Sequence, residues 1–166
     1  MCNSETIYEI YDILHREEPL LRSLSEEVIT TRFNNQNRSI KMLVGHLIDS
    51  ASNNHQRMVR LQYVKATDTD MNGQAVGVLD FPDYTQDNDL WIRLQDYQHE
   101  DWNTLVSLWK FYNLHMIHLI ESVDTSAYDN IWLDFENNVV SLRDMIEGYT
   151  GHLKLHLAQI HELIGR

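Results

Sequence analysis

Apolar positions along this chain recur mostly at helical spacing. Ile7, Ile10, Tyr11, Leu14, Leu21 and Leu24 fall largely on one stripe and predict a first helix over residues 4–24. Pro19 stands inside that stripe and predicts a kink. The polar run Asn34-Asn35-Gln36-Asn37 then ends the segment. Ser39 is a good N-cap for a second helix over 39–63, whose stripe is Ile40, Leu43, Val44, Leu47, Ala51, Met58 and Leu61. A third helix over 101–123 carries Trp102, Leu105, Trp109, Tyr112, Met116, Ile120 and Val123, with a helical turn or two before it over 90–97. The fourth opens on Ser141, with Asp144 three residues on as in a capping box. It continues through Leu142, Met145, Ile146, Tyr149, Leu153, Leu157, Ile160 and Ile164, and stops at Gly165.

The connection over 64–89, with Gly73, Gly77 and Pro82, is too long for a plain turn and reads as a crossover between distant helix ends. No segment reads convincingly as a strand. Four amphipathic stripes closing on one another predict an all-α four-helix bundle with one long crossover, folded as a single domain over 1–166.

Composition narrows the function. Apolar residues make up 43% of the chain, a globular proportion, and no apolar run approaches the length of a membrane span. The start Met1-Cys2-Asn3-Ser4-Glu5 has no basic residue and no apolar stretch behind it, so no secretory signal is expected. Cys2 is the single cysteine, so no internal disulfide can form, which fits a reducing cytosol. The net charge of −12 repels a phosphate backbone, and Arg38, Lys41, Arg57, Arg60 and Lys65 are too sparse to reverse it; no nucleic-acid partner is expected.

The nine histidines carry the candidate chemistry. His152 and His156 stand four apart on the fourth helix, about 40° apart on its surface, so both imidazoles can meet one ion. Two such rings at a bundle interior need partners for their nitrogens, and a metal satisfies both; two partly exposed histidines bonded to neighbours or water is the plainer alternative. His46 is the best candidate for a third ligand, at the edge of the second helix's stripe, and a boundary histidine is the alternative there. Asp49 and Asn53 follow on the same edge. Either could orient an imidazole, and Asp49 could itself coordinate. His55 points away from His46, and His15, His99, His115, His118 and His161 read as surface or boundary positions.

Other chemistries fit poorly. No Glu has a His three residues later, as a di-iron bundle requires. His161-Glu162 begins a zinc-protease motif that Gly165 breaks. Cys2 lies at the terminus, and no Gly-rich phosphate loop is present.

Two stretches resemble the DinB/YfiT-like superfamily. Asn37-Arg38-Ser39-Ile40-Lys41-Met42-Leu43-Val44-Gly45-His46-Leu47-Ile48-Asp49-Ser50 is similar to its second-helix motif, although Arg38 stands where an aromatic residue is frequent. Gly148-Tyr149-Thr150-Gly151-His152-Leu153-Lys154-Leu155-His156-Leu157-Ala158-Gln159-Ile160 is similar to its fourth-helix motif. Asp80-Phe81-Pro82-Asp83-Tyr84 and Trp91, Trp102 and Trp109 add to the likeness. The resemblance implies helices running up-down-down-up, and one divalent ion (zinc, nickel, iron or manganese) on His46, His152 and His156. It also implies a homodimer. Relatives include thiol-dependent transferases and metal-dependent hydrolases. The expectation is therefore a small-molecule enzyme, with thiol transfer first and hydrolysis second; a non-enzymatic metal-binding or dimeric bundle is the third reading. Asp49 is the candidate for orienting a ligand or accepting a proton.

Overall fold

The computed structural model describes residues 2–64, 66–69, 73, 75–79, 87–134 and 136–166. The Asp80–Tyr84 motif lies outside them. Six α-helices are seen among the described residues: α1 (Cys2–Arg22), α2 (Glu26–Thr31), α3 (Ile40–Leu61), α4 (Asn88–Gln95), α5 (Trp102–Glu121) and α6 (Leu142–Ile164). The long helices start where the sequence provides a cap. Ser39 Oγ accepts from the Met42 N–H at 3.2 Å, and Ser141 and Asp144 form a reciprocal capping box. Asp101, which the sequence reading did not single out, caps α5 by accepting from the Thr104 N–H at 2.8 Å.

α1, α3, α5 and α6 make the bundle, and polar contacts between them give its directions. On α1, Glu9 meets Thr150 and Lys154 of α6, and Glu17 meets His161 further along both helices, so α1 and α6 run parallel. Asn3 reaches the Ile120 carbonyl, whereas Arg22 reaches Asn103 and Ser107, so α5 runs against α1. Gln62, the C-cap of α3, accepts from the Asp124 N–H just past α5, so α3 and α5 are parallel. This is the up-down-down-up order, and the crossover is what lets consecutive long helices lie parallel. The core runs through all four, with Ile10, Leu43, Leu47, Trp109, Met116, Leu153 and Ile160 buried.

Two expectations about local structure change. α1 runs through Pro19 to Arg22. A separate short helix, α2, follows it, capped by Ser25. Strands are present: β1 (Ala66–Thr69), β2 (Ala75–Leu79), β3 (Ile131–Leu133) and β4 (Val139–Ser141) form a sheet in the order β1-β2-β3-β4. At three to five residues each, they are too short for alternation to show in the sequence. β2 also pairs parallel with β3, roughly fifty residues away, a long-range pairing no local pattern reveals. β3 and β4 form a hairpin closed by Asp134 Oδ1, which accepts from the Glu136 and Asn138 N–H groups at 2.8 Å each.

Candidate metal centre

α3 contributes His46 to this site, and α6 contributes His152 and His156. Their Nε2 atoms converge. His46 Nε2 lies 3.3 Å from His152 Nε2, which lies 3.2 Å from His156 Nε2. One ligand atom from each ring can be chosen so that all three fall within 4.8 Å of one another. Two imidazole nitrogens about 2.0–2.1 Å from a tetrahedral ion stand about 3.3 Å apart, so the spacing matches two edges of a tetrahedral site. The rings meet edge-on, with interplanar angles of 60°, 80° and 69°.

The protonation states suit ligation. Burial, reinforced by the neighbouring His156 and His152, pushes His46 down to about 3. Burial, then His156, pushes His152 down to about 4. Burial also lowers His156, against the opposing pull of its bond to Gln159. At neutral pH all three rings are uncharged, as a metal ligand must be. His156 has its tautomer fixed as well. Its Nδ1 lies 3.0 Å from Gln159 Oε1, which can only accept, so Nδ1 carries the hydrogen and Nε2 keeps its lone pair. The same amide oxygen accepts from Asn34 Nδ2 at 3.2 Å, and Asn34 Oδ1 accepts from the Arg38 N–H at 2.9 Å. The segment before α3 therefore braces a ligand on α6.

Neither Asn34 nor Gln159 was singled out as a site residue from the sequence. The i+3 spacing of Gln159 from His156 was the available signal. For Asn34, buried in a polar run that reads as a helix break, there was none.

Asp49 is placed differently from the histidines. It is buried, and its Oδ1 accepts from the Tyr97 hydroxyl at 2.6 Å and from Gln95 Nε2 at 2.8 Å. Burial raises its pKa, against the pull of those two donors. The carboxylate thus joins α3 to the end of α4, and the three-histidine group does not include it. Tyr97 lies against Gly45, the neighbour of His46: a Cβ added at Gly45 would sit 2.1 Å from Tyr97 Cδ2. Asn53 is buried on the same helix. Arg38 is buried and paired with Asp89 of α4 at 2.7 Å. Trp109 and Tyr149 belong to the core, and the Tyr149 hydroxyl donates to Asn113 Oδ1 at 2.9 Å.

The remaining histidines lie at exposed or half-buried positions, in keeping with the surface or boundary reading, and several have partners. His161 pairs with the buried Glu17 at 2.7 Å and His99 with Asp96 at 2.7 Å, while His55 meets His115.

A helical bundle with three neutral imidazoles, two buried and one half-buried, converging from two helices is a candidate metalloprotein of the open-site kind. The model of the DinB superfamily matches residues 10–160, and the chain belongs to that superfamily. No curated protein matches it. Among solved structures it is similar to YfiT from Bacillus subtilis, with a TM-score of 0.78 and 15% identity, covering 97% of this chain and 85% of that one. YfiT is described as a probable metal-dependent hydrolase with an unusual four-helix bundle topology. At that identity the likeness carries the fold. Among the described residues no helix is long and apolar enough to cross a membrane.

Proposed function

We propose that this protein is a metal-dependent enzyme acting on a small molecule, with His46, His152 and His156 holding one divalent ion (zinc, nickel, iron or manganese). The convergence of three Nε2 atoms at tetrahedral-edge spacing carries this reading. Three neutral nitrogen donors leave the ion's full charge and at least one coordination position open, so the ion would supply Lewis acidity to a bound thiol or water. Gln159 and Asn34 hold His156 in the ligating tautomer. Asp49, through Tyr97 and Gln95, holds the middle of α3 in place, a positioning role.

The reaction we infer is transfer of a low-molecular-weight thiol to an electrophile. A thiol acidified at the open position could give up its proton to solvent or to Asp49, whose Oδ1 is held by Tyr97 and Gln95 while Oδ2 has no partner among the described residues. Hydrolysis is the second reading, favoured by the description of YfiT. A cytosolic homodimer completes the proposal; exposed Tyr8, Tyr11, Leu108 and Phe111 on neighbouring α1 and α5 support an apolar contact face.

Elemental analysis of tag-free protein beside His46→Ala tests the centre. Near-equimolar metal in the wild type, lost in the variant, is the expected result, and equal metal content in both would overturn the site. Assays with electrophiles, with and without added thiol, then separate the two reactions. Turnover of simple esters or amides with no thiol dependence would replace transfer with hydrolysis.

A further inference from the structure

His55 on α3 and His115 on α5 face each other with their Nε2 atoms 3.3 Å apart and their ring centroids 5.0 Å apart. At that separation one neutral ring can donate a long N–H···N hydrogen bond to the other, and the same spacing suits a shared ion. Two imidazoles sharing a tetrahedral ion at about 2.0–2.1 Å have nitrogens about 3.3 Å apart. The separation equals that of His46 and His152 in the triad. The parallel course of α3 and α5 brings the two positions level. His55 lies nine residues beyond His46, which on a helix is about 13 Å along the axis and half a turn around it, so the pair is separate from the triad.

Its surroundings suit a ligand pair. His115 is exposed and His55 half-buried, so solvent reaches the nitrogens. Tyr112 packs edge-on against His55 at 6.0 Å and 81°, limiting how that ring can turn. Burial and the adjacent His115 hold His55 below its ordinary pKa, which keeps it in the uncharged form. His118, one turn along α5, has its ring centroid 6.4 Å from that of His115.

We propose that His55 and His115 form a second metal site, bridging α3 and α5, which takes one late first-row divalent cation with water completing its coordination. The usual affinity order puts Cu2+ ahead of Zn2+ and Ni2+. The net charge of −12 favours accumulation of cations around the molecule.

The test uses metal-stripped, tag-free protein titrated by calorimetry with Zn2+ alone and, separately, Cu2+ alone. Wild type, His115→Ala, His55→Ala and His152→Ala are compared, with circular dichroism confirming that each is folded. His152→Ala should keep the equivalent that His115→Ala and His55→Ala lose. If the triad itself binds nothing, the wild type should still take one equivalent and His115→Ala none. Paramagnetic resonance of the Cu2+ complex of His152→Ala should show coupling to imidazole nitrogens that vanishes when His115→Ala is added. Retention of that equivalent, and of the nitrogen coupling, without His55 or His115 would overturn the proposal.

Discussion

Gly45→Ala should destabilise the fold although alanine is the better helix former. In an unstrained helix interior the change would gain about 1 kcal/mol. Here the new Cβ would stand 2.1, 2.3 and 2.6 Å from Cδ2, Cγ and Cε2 of Tyr97, where ordinary contact begins at 3.4 Å. The nearest ring carbon would have to move by about 1.3 Å, the difference between 3.4 and 2.1 Å. It has little freedom to do so: Tyr97 is buried, and its hydroxyl is held 2.6 Å from the buried Asp49 carboxylate. Overpacking of this kind costs about 1–3 kcal/mol, or more where the neighbours cannot shift. With Tyr97 held in place the cost should lie at the top of that range, so the net loss after the helix gain should be about 2 kcal/mol, a fall in Tm of several degrees for a domain this size. Urea and thermal unfolding of metal-free protein read it directly. The double substitution Gly45→Ala/Tyr97→Ala should lose less than the sum of the single losses, because one relieves the other. A Gly45→Ala protein as stable as wild type, or more stable, would show that Tyr97 does not pack as described.

Three further outcomes are expected. Metal-free protein should lose stability as pH falls below about 6.5, because the unfolded chain then binds protons that His46 (about 3) and His152 (about 4) refuse. The triad adds no pH dependence above that window, and the slope is at most about 1.4 kcal/mol per pH unit for each fully buried ring. Denaturation midpoints that stay flat between pH 6.5 and 5 would refute this; bound metal, which also holds the folded rings neutral, should leave that slope in place. Gln159→Ala should weaken metal binding about 10- to 100-fold, read by competition with a chelator, because His156 loses the partner that fixes its tautomer. Tyr97→Phe should cost about 1–3 kcal/mol by removing a donor to the buried Asp49 while leaving metal stoichiometry unchanged, and a loss of metal would place Asp49 nearer the ion than its bonds indicate.

The long helices were legible because their information is local. Ser39, Ser141 with Asp144, and the stripes through Leu43 and Leu153 each specify a helix within a few turns of sequence. The i, i+4 spacing of His152 and His156 was legible for the same reason, whereas joining His46 to them, 106 residues from His152, needed the family resemblance as well as the stripe edge. What escaped was set by distance along the chain or by brevity. β2 finds its partner in β3 only after the crossover has folded back, and α2 is six residues long between two turns. The same holds at the site: no local feature of Asn34 points to Gln159, 125 residues away, and His55 and His115 meet only because α3 and α5 run parallel.

The packing around the triad bears on what its ion is for. A structural zinc site usually stands in for a missing core, and such domains unfold without metal. Here the core is complete without one: Ile10, Leu43, Trp109, Leu105 and Ile160 are fully buried, and the Tyr149–Asn113 bond joins two of the helices at the centre. The triad joins only α3 and α6, which already pack together, so losing its ion removes no element's sole attachment. The surroundings instead restrain the ligands. Gln159 sets the hydrogen of His156, Asn34 holds Gln159, and Tyr97 fills the space beside Gly45. That restraint fixes three nitrogens on one side of an ion and supplies no fourth ligand from the described histidine, cysteine or acidic residues. An ion bound there would keep a position open for exchange, which supports the chemical role we propose over a structural one.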